Sequence, residues 1–279
     1  MKNIMSEIES LKTKQVMFID DNFIGNPGKA KQLIREIMPL GITWHTAVSA
    51  DIGKYDDILD MMGDSGCKTL FIGFETLNED NLASCSKKQN RIEEYACTIK
   101  KIHDRNMMVN ASVVFGFDND GPDVFERTLE WLVEQKVETM TGHILTPYPG
   151  TALYARLEKE NRITDRNLDH YNTSNVVFKP AGMSPDELKN GYHWVYDEFY
   201  SWKRIMQRVP DSKEQRFPYL MFNITYRKYG KLFSMAGKLG MMSVFSNFAR
   251  MFVYQKQKIR SQAGYKRQPQ FHRLLSGKG

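Results

Sequence analysis

Acidic and small polar residues fall just after short apolar runs at recurring intervals. Asp20, Asp21 and Asn22 follow Gln15 to Ile19. Glu75 follows Thr69 to Phe74. Gly116 and Asp118 follow Val109 to Phe115, and Thr146 follows Met140 to Leu145. Carboxylates and small polar groups in such places can accept hydrogen bonds from an ammonium or from ribose hydroxyls. Gly116 lets a flat ring come close to the backbone. The plainer account is that Asp and Asn start turns after strands. It serves for any one residue but less well for the set.

Cysteine and histidine chemistry has weaker support. Cys67, Cys85 and Cys97 lie 18 and 12 residues apart, with no CxxC or CxxxC pair. An odd number at wide spacing argues against a disulfide framework and a four-cysteine metal site, and for reduced thiols in a cytosolic protein. His45, His103, His143, His170, His193 and His272 show no HxH or HxxxH spacing. Each reads as a hydrogen-bonded core residue, although His143 lies close to the strand end before Thr146.

The elements that must position the acids alternate. Strands are expected at 15–19, 42–48, 69–74, 109–115 and 140–145. Helices are expected after Pro27, over 55–62, 92–106 and 123–135, with a first helix over Asn3 to Leu11. Strands and helices at this spacing imply parallel βαβ units, and near-continuous apolar strands suit a sheet covered on both faces. Barrels and open α/β sheets both place active sites at the strand carboxyl ends. Five strands are too few for an eight-stranded barrel. The expected class is α/β: a partial parallel (β/α)6 TIM-like barrel lacking its first unit, followed by a mainly helical C-terminal extension.

From about Asn161 the alternation stops. Ser184-Pro185-Asp186-Glu187 is a strong helix start, and that helix is expected to run to about Val209, before Pro210. Residues 201–279 hold 17 Lys+Arg against Asp211 and Glu214 alone, so the chain's formal +6 joins an acidic part to a strongly basic one. The expected domains are 1–180, the barrel; 181–263, a basic helical extension; and 264–279, a flexible basic tail. In the extension, Met241, Val244, Phe245, Phe248, Met251 and Phe252 share one helical face, with Lys231, Lys238 and Arg250 around it. Such a face can pack on the barrel or lie on an anionic membrane. Nucleic acid is a third option without a recognisable motif. No uncharged apolar run is long enough to span a bilayer.

Four runs together carry a resemblance: Val16-Met17-Phe18-Ile19-Asp20-Asp21-Asn22-Phe23, Ile72-Gly73-Phe74-Glu75-Thr76, Val114-Phe115-Gly116-Phe117-Asp118, and Leu145-Thr146-Pro147-Tyr148-Pro149-Gly150-Thr151. In order and spacing they resemble the radical S-adenosylmethionine superfamily. The nearest branch is the one whose members usually carry an N-terminal cobalamin-binding domain, including hopanoid methylases and the anaerobic magnesium-protoporphyrin ester cyclase. The resemblance covers about Lys2 to Thr151. It implies that Asp20, Asp21 and Asn22 hold the methionine amino group of S-adenosylmethionine. Glu75 and Thr146 are placed at the same mouth, with Glu75 toward the ribose and methionine end, and Val114, Phe115 and Gly116 lie beside the adenine.

One departure stands out. The family's CxxxCxxC loop, which holds a [4Fe–4S] cluster, is absent, and the three cysteines cannot replace it. The chain therefore resembles the C-terminal part of a longer protein, completed by a missing N-terminal half or a separate subunit. Alone it should not generate a 5′-deoxyadenosyl radical, because thiolates are needed to hold the cluster. The implied function is the cofactor- and substrate-holding part of an enzyme for methyl transfer or oxidative ring chemistry on a lipid-like or tetrapyrrole substrate. The rival is a non-catalytic remnant or a module that binds a partner or a membrane surface. The expected location is the cytoplasm or the inner membrane face, with an anionic membrane engaged through residues 217–279.

Overall fold

A computed structural model of the chain describes residues 2–11, 13–84 and 91–238; the side chains of 83–84 and 229–238 lie outside that description. The chain divides into two compact units, Met1–Tyr226 and Arg227–Gly279. Cys85, the face from Met241 to Phe252, and the segment 264–279 all fall outside the described residues.

The first unit is built on five strands: β1 (Gln15–Phe18), β2 (Thr43–Ser49), β3 (Cys67–Glu75), β4 (Met108–Phe115) and β5 (Thr139–Ile144). They form one sheet in the order β1-β2-β3-β4-β5, every neighbouring pair parallel. Each crossover carries helix: α2 (Pro27–Ile37), α3 (Asp56–Asp64), the short α4 (Glu79–Ser84) with α5 (Ile92–His103), and α6 (Val124–Glu134). α1 (Lys2–Ser10) precedes the sheet. The sheet is a curled half-barrel, so the partial TIM-like expectation holds.

Burial explains why these runs are strands. Trp44, Thr46 and Val48 are buried while Thr43, His45, Ala47 and Ser49 are only half-buried, and β3 and β5 repeat the pattern. This period of two gives the sheet one face packed on helices and one half-open inner face. The helix-side face joins one core with Leu33, Ile37, Leu59, Ile99, Leu129 and Leu132 of the crossover helices.

After β5 come α7 (Ala152–Lys159), α8 (Pro185–Phe199), α9 (Trp202–Gln207) and α10 (Lys213–Lys238). Ser184 caps α8 as expected: its hydroxyl accepts from Glu187 N, and the Glu187 carboxylate accepts from Ser184 N. The single helix expected from Pro185 to Val209 is instead two. Ser201 has extended backbone and caps α9 by accepting from Arg204 N, and Tyr200 sends its hydroxyl to the sheet.

That hydroxyl belongs to a seal on the edge of β5. The phenol of Tyr200 donates to Met140 O (3.2 Å) and accepts from Met140 N (3.3 Å). Tyr196 does the same at Gly142, at 3.2 and 2.8 Å. Ile144 N donates to Thr173 O at 2.7 Å. Below them, buried Arg208 donates to the carbonyls of Val137, Glu138 and Phe199 and lies 3.5 Å from the centre of the Phe199 ring. The helical part is thus fixed to the sheet by polar bonds as well as by apolar packing.

Candidate site at the strand carboxyl ends

At the end of β1, Phe18 packs edge-on against Trp44, with ring centres 5.5 Å apart, and Phe23 covers both. This apolar knot fixes the Ile19–Phe23 turn. Asn22 ties the turn to β2. Its amide donates to Ser49 Oγ (3.1 Å), and its carbonyl oxygen accepts from Ser49 N (3.2 Å) and Ile24 N (3.3 Å). Ser49 in turn donates to Asp51. Both polar atoms of Asn22 are therefore committed to the fold. Asp20 and Asp21 are exposed and pair with no described side chain, so their carboxylates remain available to a cation.

Glu75 ends β3 at a register shift between Gly73 and Glu75, with φ at +66°. A left-handed conformation is uncommon outside glycine, and such strain gathers at functional sites. It leaves Glu75 half-buried, where its charge acts on His143 of β5. Burial lowers the pKa of His143, Glu75 partly opposes this, and His143 Nδ1 lies 3.1 Å from Thr173 Oγ1. His45 is also lowered by burial. Both imidazoles are held toward the neutral form on the inner face.

The end of β4 differs most from expectation. Val114 lies on the inner face opposite His143 in register. The Phe115 ring packs on Phe125 of α6, 5.1 Å between centres, so it faces the helices and not the mouth. Gly116 has φ at +100°, and a Cβ there would sit 2.8 Å from Leu188 Cδ2. Leu188 fills that side of Gly116, which sequence reasoning had left open for a flat ring. Asp118 is claimed by Arg162 (2.6 Å) and Arg156. Burial pulls its pKa upward, but the two guanidiniums outweigh this and hold the carboxyl below its ordinary range. Thr146 turns inward and donates to Ile144 O at 2.9 Å.

The residue that organises this end is Asp120, which sequence reasoning missed. One of its oxygens accepts from Gly116 N (2.9 Å) and Phe117 N (3.0 Å), and the other accepts from Asn81 Nδ2 (2.7 Å). Burial pushes its carboxyl up to about 6, against the pull of those donors. The available signal was an acid four residues after a strand-end glycine, where a short side chain can bond back to the backbone of the turn.

The described thiols do not fit an iron–sulfur cluster. Cys67 is buried at the amino end of β3, away from the mouth, and burial pushes its thiol up. Cys97 is exposed on α5. Among the described residues no group of three His, Cys, Asp or Glu could hold a metal. No described helix is long and apolar enough to cross a membrane.

Over 203 residues the chain is 29% identical to the bacteriochlorophyllide d C-12(1)-methyltransferase of Chlorobaculum tepidum, covering 72% of this chain and 44% of that protein. Over 169 residues it is 28% identical to the hopanoid C-2 methylase of Rhodopseudomonas palustris, covering 58% and 32%. The radical S-adenosylmethionine methyltransferase TsrM of Kitasatospora setae, solved with cobalamin and a [4Fe–4S] cluster, shares the fold. Its TM-score is 0.52 at 15% identity, over 68% of this chain and 40% of that one. These sequence relatives are methylases, and the chain's fold is that of a radical S-adenosylmethionine methyltransferase. The resemblance read from the four motifs is thereby borne out, including its hopanoid methylase branch. The chain spans less than half the length of these relatives. Its residues 151–220 match a domain of unknown function, DUF4070.

Proposed function

We propose that this chain is the S-adenosylmethionine- and substrate-holding portion of a cobalamin-type radical S-adenosylmethionine enzyme. Its reaction class is methyl transfer, or oxidative carbon–carbon or ring chemistry, on a lipid-like or tetrapyrrole substrate. The observation that carries the reading is the pair of exposed carboxylates, Asp20 and Asp21, at the end of β1. Glu75 and the neutral-leaning His143 stand two and four strands away along the same edge.

Asp20 and Asp21 would hold the ammonium of the methionine moiety, since an ammonium supplies three donors and a carboxylate offers two oxygens to accept them. Asn22 acts through Ser49 by keeping that turn against β2. Glu75 faces the inner side and can accept from hydroxyls. Bound S-adenosylmethionine supplies an activated methyl group and a sulfonium bond open to reductive cleavage. The described residues do not fit the cluster that such cleavage needs, so no step of it is assigned to this chain. Its thiolates would come from the missing N-terminal half or a separate subunit.

Equilibrium dialysis with labelled S-adenosylmethionine tests the assignment. Combined Asp20→Ala and Asp21→Ala changes should weaken binding about tenfold, the scale of one lost charge-assisted interaction; unchanged binding would refute the anchor. Anaerobic iron–sulfur reconstitution should give no stoichiometric cluster. About four irons per chain would overturn the division of labour.

A further inference from the structure

One side of α10 packs on the first unit and the opposite side carries apolar residues into solvent. The packed side is set by Gln215, Tyr219 and Asn223, spaced by four and buried. Tyr219 donates to Ile205 O at 2.6 Å and Asn223 donates to Glu138 O at 3.2 Å. Phe217, Met221 and Ile224 recur at i, i+4 and i+7, which places them half a turn from that packed stripe. They are 74%, 52% and 37% exposed. The helix is already held by its other side, so core packing does not account for this ridge.

The charge of the surrounding sequence selects its partner. No Asp or Glu follows Glu214, and residues 201–279 carry 17 Lys+Arg. A cationic protein partner is disfavoured by this imbalance, as is a second copy of an equally basic segment. A helix with Phe and Met on one side, whose only acid is Glu214 in its first turn and whose remaining charges are Lys and Arg, has the composition that enters the headgroup layer of an anionic bilayer. We propose that the Phe217–Met221–Ile224 ridge of α10 is a docking surface for an anionic lipid membrane. The apolar side chains enter the acyl boundary and the basic sequence answers the lipid phosphates. This surface lies on a helix apart from the strand-end acids and does not depend on the enzymatic reading.

The test uses the full chain, without S-adenosylmethionine, floated with phosphatidylcholine vesicles or with mixed phosphatidylcholine–phosphatidylglycerol vesicles. The chain should float with the mixed vesicles only and be released by high salt, as screened charge requires. Combined Phe217→Ser and Met221→Ser changes should weaken binding about tenfold or more, given the apolar area they withdraw. Leu168→Ser, at another exposed apolar position, should leave binding as it was. Circular dichroism melts confirm that each variant is folded. Failure to float, equal binding to neutral vesicles, or full binding by the double variant would each overturn the proposal. So would concentration-dependent dimerisation that the double variant abolishes while lipid binding is absent, since the ridge would then be a contact between copies.

Discussion

Removing the Asp120 carboxylate tests how the β4 turn is held, and the effect should change with pH in a fixed direction. Asp120 accepts two backbone N–H groups and the Asn81 amide while almost wholly buried. Asp120→Ala strands those donors, each at about 1–3 kcal/mol when left buried and unsatisfied. The ionised carboxylate has an opposing cost, because burial raises its pKa from 3.8 to about 6. A group whose folded-state pKa is raised binds its proton more tightly when folded. Its stabilising share is therefore complete below pH 3.8 and is lost as pH rises through about 6. Between pH 7.5 and pH 4.5 the wild type should gain about 2 kcal/mol over the variant by linkage. Urea unfolding followed by circular dichroism at both pH values measures the difference, and titrations elsewhere cancel in it. Asp120→Asn keeps an acceptor for Gly116 and Phe117 but sets amide against amide at Asn81. It should cost about 1–2 kcal/mol at pH 7.5 and, because an amide does not titrate, about 2 kcal/mol more at pH 4.5. If the Ala penalty shrinks toward acid, the three donors outweigh burial and the reasoning is wrong.

The other predictions concern the sheet edge, the buried cation, the turn glycine and the thiols. Tyr196→Phe with Tyr200→Phe should destabilise the protein by about 2–4 kcal/mol through stranded backbone groups and raise self-association, read by light scattering; unchanged stability and dispersity would refute the seal. Arg208→Met should cost about 2–5 kcal/mol, because three buried carbonyls lose their donor, and a neutral result in thermal melts would refute that role. Gly116→Ala should cost about 1–3 kcal/mol from its positive φ and the Leu188 contact, and should be partly relieved by Leu188→Ala in a double-mutant cycle. Under native conditions Cys97 should react with a thiol reagent while Cys67 reacts only after unfolding; equal rates would refute the burial argument.

Much of the fold was legible because period-two burial and helical spacing are written in residue type. Trp44, Val48, Leu70, Ile72 and Phe74 announce their face by alternation, and the start of α8 is announced by Ser184 and Glu187. The break at Tyr200 was not legible. Tyr200, Ser201 and Trp202 continue the helical pattern, and only the distant backbone of Met140 explains where the phenol goes. The strand-end residues divide in the same way. Exposure of Asp20 and Asp21 follows from their place after β1, whereas the capture of Asp118 depends on Arg156 and Arg162, some forty residues later. The positive φ of Gly116 belongs to the turn after β4, and Leu188 from α8, far off in sequence, closes the space beside it. Asp120 was missed because a buried acid that serves the backbone looks, in sequence, like any other turn residue.

The two edges of the sheet are physically unlike, and this bears on how the proposed enzyme is completed. An exposed strand edge is a template for another strand. At β5 the template is used up. A phenol hydroxyl both donates and accepts, so Tyr196 and Tyr200 each satisfy the N–H and C=O of one residue, and Thr173 takes the next N–H. No strand can add there without first displacing α8. β1 pairs with β2 alone among the described strands, and Met17 and the adjoining Ile19 stand 64% and 92% exposed. Growth of the sheet is therefore confined to β1. A strand added parallel to β1 would bring its carboxyl end to the same edge as Asp20 and Asp21. Under the proposed function, that places a cysteine-bearing loop following such a strand beside the carboxylates that hold the cofactor's amino group. Under that reading the cluster ligands would approach the anchor from the β1 side. No cysteine described in this chain stands at that edge to take their place.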